Sequence, residues 1–145
     1  NNVFIDFPWV QDPQNPNWAV PSKYEFKRLC RILNKAKVNI NIASTVTLDC
    51  CILDCPTINL YFSTTQEDEM TIRNYYQLDH YKDITAANCA PQAADENELL
   101  SYLNILLERP DEYSGSRKSV KATICNYSID KSASEKLLEQ LSVIS

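Results

Sequence analysis

Residues 36–62, AKVNINIASTVTLDCCILDCPTINLYF, are the densest apolar segment of the chain and read as strand, tight turn, helix, short turn, strand. Over residues 38–42, VNINI, apolar and polar side chains alternate with the period of a strand. Ser44 and Thr45 then supply hydroxyls where a helix should begin. Residues 46–53 are apolar on almost every side except Thr47 and Asp49, the pattern of a helix buried against a sheet. Pro56 forces the exit, and the β-branched and aromatic run 57–62 suits a second buried strand. A strand–helix–strand unit this short implies parallel strands joined by a right-handed crossover. Its Ser44/Thr45 end is the place where open α/β sheets bind ligands.

The whole chain has 145 residues, enough for one domain with a real core. With 44% hydrophobic and 23% charged residues it matches ordinary globular composition. A net charge of −5 and a pI near 4.8 leave no electrostatic footprint for a nucleic-acid partner. No apolar run approaches the ~20 residues of a membrane-spanning helix, and no signal-peptide pattern is present. The expected location is cytoplasmic, with peripheral contact at the inner membrane face as the one membrane role. Cys50 and Cys51 are adjacent on the predicted buried helix and Cys55 follows closely. With no CxxC pair and a single histidine, the six cysteines are expected to be small core residues in a reducing cytosol, with no metal site. The chain starts at Asn1, enters a strand pattern at once, and holds one glycine, Gly115. The expectation is a C-terminal piece of a larger protein.

Along the chain, residues 3–7 read as a short strand. Residues 8–21 read as a loop ordered by Pro8, Pro13, Pro16 and Pro21. Its Trp9 and Trp18 either cover the core edge or form a platform for a base or acceptor. Residues 22–25, SKYE, match a capping box with Ser22 at the N-cap and Glu25 three positions on. The helix it opens aligns Phe26, Leu29, Cys30 and Leu33, leaving Lys23, Lys27, Arg28, Arg31 and Lys35 as a basic face for water or an anionic membrane surface. The polar, aromatic segment 63–82 should lie over the ligand crevice. A short helix over 83–88 and a last strand over 89–93 follow. Asp95 and Glu98 repeat the cap logic before a stripe of Leu99, Leu103 and Leu106 that Arg109 and Pro110 end. Further helices are expected over 116–126 and after a cap at Ser132. Strands alternate with helices, so the class is α/β: a Rossmann-like parallel sheet with flanking helices.

Backbone N–H groups at a helix start lack intrahelical partners and the macrodipole is positive there, which suits a phosphate. Ser44 and Thr45 add hydroxyl donors. Asp49 is four residues after Thr45, on the same face one turn deeper, where a carboxylate can accept hydrogen bonds from ribose hydroxyls. The plain alternative is an ordinary N-cap with an acid that complements the dipole.

Residues 43–49, ASTVTLD, and 52–56, ILDCP, resemble the donor-binding motif of glycosyltransferases with the two-Rossmann-domain, B-type (GT-B) fold: a hydroxyl-rich turn, a helix, and an acid seven positions before a proline. The peptidoglycan N-acetylglucosaminyltransferase and the non-hydrolysing UDP-N-acetylglucosamine 2-epimerases have a similar layout, with glutamate as the ribose ligand. A closer likeness is to bacterial surface-polysaccharide transferase-like proteins, through the segment 76–81, YQLDHY, and the leucine-rich helix ending at Pro110. The resemblance spans roughly residues 3–141 and implies the latter part of a C-terminal, donor-binding GT-B domain, its N-terminal domain and first strands lying outside this chain. It implies a nucleotide-diphosphate sugar as substrate without a separate cofactor, Ser44 and Thr45 on the diphosphate, Asp49 on the ribose, and His80 near the phosphates or assisting the leaving group. The alternatives are half of a 2-epimerase-like or glycerophosphotransferase-like enzyme, or a degenerate module that keeps only the fold.

Overall fold

The computed structural model describes residues 3, 9–12, 14–21, 24–125, 130–132, 134–136 and 139. They belong to two compact units, Asn1–Ala36 and Lys37–Ser145.

The first unit holds an antiparallel pair, β1 (Trp9–Asp12) and β2 (Asn15–Pro21), with Trp9 opposite Pro21 and Val10 opposite Val20. This corrects the expectation of a loop over 8–21. Each strand of a two-stranded ribbon has a free edge, so Pro16 and Pro21 need not break the ladder by lacking an N–H. Helix α1 (Glu25–Leu33) follows, and its cap is also corrected: the N-cap is Tyr24, already at helical angles (φ −96°, ψ −15°), with no side-chain cap bond. Ser22 and the expected strand beyond Val3 lie outside the described residues. Along the apolar stripe, Leu33 is buried and Leu29 and Cys30 half-buried, whereas Phe26 is exposed.

The second unit is built on three parallel strands in the order β3 (Asn39–Asn41), β4 (Thr57–Leu60) and β5 (Gln92–Ala93). Helix α2 (Val46–Leu53) connects β3 to β4, so the strand–helix–strand reading holds. The segment 63–82, expected as a crevice loop, is instead helical: α3 (Gln66–Tyr76) and α4 (Asp79–Ala86) join β4 to β5. Only Ile72 and Tyr76 of α3 are buried, too few apolar positions to stand out among its polar residues. Strand β5 is two residues long rather than five. Pro91 has no N–H for a ladder bond, though its carbonyl accepts from Asn59 at 2.9 Å. Helix α5 (Glu96–Glu108) is capped as expected, Asp95 Oδ1 accepting from the Glu98 N–H at 2.9 Å. Helix α6 (Ser114–Thr123) begins two residues before the expected start.

Successive residues of β4 point to opposite faces of the sheet. Ile58 packs with Ala93 and Leu106 beneath α5. On the other side Cys51, Ile72, Tyr76, Tyr81, Ile84, Cys89 and Val120 join α2, α3, α4 and α6 in a second core. Cys50, Cys51, Cys55 and Cys89 are buried and all six thiols are free, in line with their reading as core residues. Among the described residues, no helix is long and apolar enough to cross a membrane.

Candidate functional site at the carboxyl edge of the sheet

Three helices leave the carboxyl ends of these strands, and their N-termini are not equivalent. Helix α3 opens with Thr65 accepting from the Asp68 N–H (3.2 Å), followed by Glu67, Asp68 and Glu69. Helix α5 opens with Asp95, Glu96 and Glu98, the Glu98 carboxylate reaching back to the Ala94 N–H at 2.8 Å. Both positive ends are already met by the protein's own carboxylates. Helix α2 is different: its N-cap Thr45 makes no side-chain cap bond, and its first acid, Asp49, lies a full turn in.

The donors at this end are few and identifiable. Ser44 Oγ accepts from the Val46 N–H (3.2 Å), and the Thr47 and Leu48 N–H groups bond back to the Ser44 and Thr45 carbonyls at 3.0 and 2.9 Å. Two consecutive N–H groups, those of Ser44 and Thr45, are left without an acceptor among the described residues. Thr45 is exposed and Ser44 half-buried. One turn deeper, the half-buried Asp49 carboxylate makes no hydrogen bond or ion pair among the described residues, and burial raises its pKa above the ordinary value.

The turn itself is strained and held. Ala43 has φ 34°, in the left-handed region, where a side chain costs about 1–2 kcal/mol. Its N–H donates to the Tyr76 hydroxyl at 3.1 Å, and that hydroxyl donates to the Leu60 carbonyl at 2.8 Å. Tyr76 therefore straps the turn to the end of β4. Beneath it, fully buried Thr47 donates to Asn59 Oδ1 (3.1 Å). A hydroxyl has one proton, so Tyr81 Oη, 3.1 Å away, is the donor toward Thr47. Asn41 Nδ2 completes the network at 3.4 Å. Comparison with protein-family models, curated proteins and solved structures finds no match for this chain.

Ser44, Thr45 and Asp49 lie together around the first turn of α2, as expected from their spacing. No hydrogen bond or ion pair among the described residues joins His80 to them. It is exposed in the first turn of α4 and makes no hydrogen bond or ion pair among the described residues; its neighbour Tyr81 is the residue that reaches α2, through Thr47. The tyrosines of 76–81, not the histidine, thus carry that segment's contacts to α2. Sequence reasoning missed the roles of Thr47, Asn59, Tyr76 and Tyr81, although an asparagine within an otherwise apolar strand was a usable signal for a buried polar network. Arg73 was missed as well: its guanidinium lies 4.7 Å over the ring of Tyr61, whose edge-on partner is Tyr76, with centroids 5.1 Å apart. A shallow depression of about 260 Å³, lined by Gln66, Glu69, Met70 and Arg73, contains none of the expected site residues. Among the described residues no three His, Cys, Asp or Glu side chains converge as a metal cluster.

Proposed function

We propose that the α2 end binds the diphosphate and ribose of a nucleotide-diphosphate sugar. In this reading the chain is the donor half of a metal-independent glycosyltransferase of the B-type fold, acting in surface-polysaccharide or glycolipid synthesis. One observation carries it: of the three helix N-termini at this sheet edge, only that of α2 has no acid in its first three residues and, among the described residues, a carboxylate without a partner one turn in.

The chemistry follows from the positions. The N–H groups of Ser44 and Thr45, with the Thr45 hydroxyl, donate to phosphate oxygens, and the dipole of α2 favours their charge. Asp49 accepts from the ribose hydroxyls. As the acceptor oxygen bonds to the sugar's anomeric carbon and the bond from that carbon to the phosphate oxygen breaks, negative charge grows on the departing diphosphate, and these donors stabilise it. His80 extends from α4 to hydrogen-bond that leaving group. The base that takes the proton from the acceptor hydroxyl belongs to the N-terminal domain, so this chain binds nucleotide without turning over.

Calorimetric titration with UDP, GDP and CDP tests the reading. One nucleotide should bind, and Asp49→Ala should weaken it about 10–100-fold, the range for hydrogen bonds to a charged group. Heat with none of the three removes the donor site and leaves the degenerate module, which the strained Ala43 and the committed Ser44 hydroxyl favour. Undiminished affinity in Asp49→Ala removes only the ribose contact.

A further inference from the structure

We infer that Cys50 and Cys55 are an oxidisable pair, a modification site that closes into a disulfide across the end of α2 and is separate from nucleotide binding. The backbone sets the pair. Asp54, in the left-handed region at φ 53°, turns the chain back on the helix. The Cys55 N–H then bonds to the Cys50 carbonyl at 2.8 Å and the Asp54 N–H to the Cys51 carbonyl at 3.4 Å. These are the two bonds of a Schellman turn, which brings the side chains at the positions of Cys50 and Cys55 against each other. The usual occupants are apolar. Here both are thiols, 0% and 3% exposed, and the Cys50 S–H donates to the Cys55 sulfur. All six cysteines are free, so the structure shows the reduced form.

Their surroundings divide the roles. The Cys50 S–H, the charge of Arg117 and the Asn39 N–H hold the Cys55 thiol below the ordinary cysteine value, although burial opposes them. The same contact, with burial, pushes Cys50 up. Cys55 is therefore the thiolate that attacks and Cys50 the thiol that resolves. The oxidant is a peroxide. Cys55 sulfur takes one peroxide oxygen as the O–O bond breaks, and the other oxygen leaves as water with the proton Cys55 gave up, giving a sulfenic acid. Cys50 sulfur then displaces that hydroxyl, which departs with the Cys50 proton as a second water, and the S–S bond forms. Two thiols are oxidised and one peroxide is reduced to two waters. Cys51 and Cys89 are a second contacting pair, but both lie inside the cluster of Ile72, Tyr76 and Tyr81. Cys55 instead follows Asp54, whose side chain is 41% exposed, so opening of one surface turn admits the oxidant.

Peroxide treatment of the folded full chain, then alkylation in denaturant and tryptic mapping, tests this. Peptide 38–73 holds Cys50, Cys51 and Cys55, and Cys89 lies in peptide 83–117. Peptide 38–73 should come out two hydrogens lighter with Cys51 alone alkylated, and a dithiol reductant should restore all three thiols. Oxidation of the exposed Met70 adds an oxygen to that peptide without changing its thiol count. Cys51→Ser should keep the bond, whereas Cys50→Ser should stop at a Cys55 sulfenic acid that dimedone traps. The oxidised chain should melt about 5–10 °C above the reduced one, because the bond restrains the unfolded chain. Three alkylatable thiols after peroxide, a bond that includes Cys51, a link from peptide 38–73 to peptide 83–117, or a lower melting temperature on oxidation overturns the inference. The mapping of the parent chain gives that answer even where a serine variant does not fold.

Discussion

Asp49 is a half-buried carboxylate with no partner among the described residues, and burial raises its pKa. The folded state therefore binds its proton more tightly than the unfolded chain does. Stability is lost as the pH rises from below about 4, the ordinary carboxylate value, through the raised one. At neutral pH the ionised group opposes folding. Asp49→Asn should raise the melting temperature at pH 7 and give no advantage at pH 3, a comparison that thermal scans at the two pH values make directly. The same variant should lose nucleotide affinity, the trade-off expected where a site keeps an uncompensated charge for its ligand. A purely structural Asp49 would show the opposite, a lower melting temperature at pH 7. The spacing of Asp49 from Thr45 was legible in the sequence. Its lack of a partner was not, because that depends on what other elements bring near it.

The turn between β3 and α2 is where local sequence and tertiary structure disagree. Ala43 takes a conformation that glycine would adopt without strain, and the hydroxyl of Tyr76, 33 residues away, bonds to its N–H. Ala43→Gly should stabilise the protein by roughly 0.5–1 kcal/mol, relief of the left-handed strain less the greater freedom of glycine in the unfolded chain. Tyr76→Phe should cost about 1–3 kcal/mol, since the buried ring stays while the Ala43 N–H and Leu60 carbonyl lose their partner. Urea denaturation measures both. A neutral Tyr76→Phe would mean that the strap does not hold the turn. Alternation and capping residues announced the strand, the helix and the cap of α5, because these depend on neighbours a few positions apart. The helical nature of residues 66–86 was hidden, since few of its positions are apolar and its organising contacts are distant tyrosine hydroxyls.

Across the second unit, α2 and α6 are joined by a pair more than 60 residues apart in sequence. Asp54 ends α2 in the left-handed region (φ 53°), and its carboxylate accepts from Arg117 Nε at 2.7 Å and Ser114 Oγ at 2.8 Å. Arg117 is 1% exposed and also donates to the Glu112 and Pro110 carbonyls. Lys121 closes the contact on the Ile52 carbonyl at 2.8 Å. Burial alone would raise the Asp54 pKa, but hydrogen bonds from Arg117 and Ser114 and the charges of Arg117 and Lys118 bring it below the ordinary value. Its contribution has the opposite sign to that of Asp49: present above the unfolded carboxylate pKa and lost as the pH falls through the depressed one. Asp54→Asn should cost about 2–3 kcal/mol by urea denaturation, below the value for breaking a fully buried pair because Asp54 is partly in water. Asp54→Gly should also destabilise, although glycine suits the backbone there. A glycine variant as stable as the parent would show that conformation, not the Arg117 pair, is what Asp54 supplies.

Periodicity, prolines and capping residues along the chain were enough to define an α/β unit with a helix N-terminus at the end of a parallel strand, and to gather Ser44, Thr45 and Asp49 there. Such features depend on spacing and local backbone preference, which a sequence displays openly. The hairpin of unit one, the strained Ala43, the network around Thr47, the clamp at Arg117 and the exposure of Phe26 depend on which distant groups meet and which stay in water. A polar or apolar side chain looks the same in sequence whether folding buries it or leaves it exposed. At the turn of residues 43–45, pattern located the helix end, and packing left two N–H groups and one carboxylate there without a partner among the described residues.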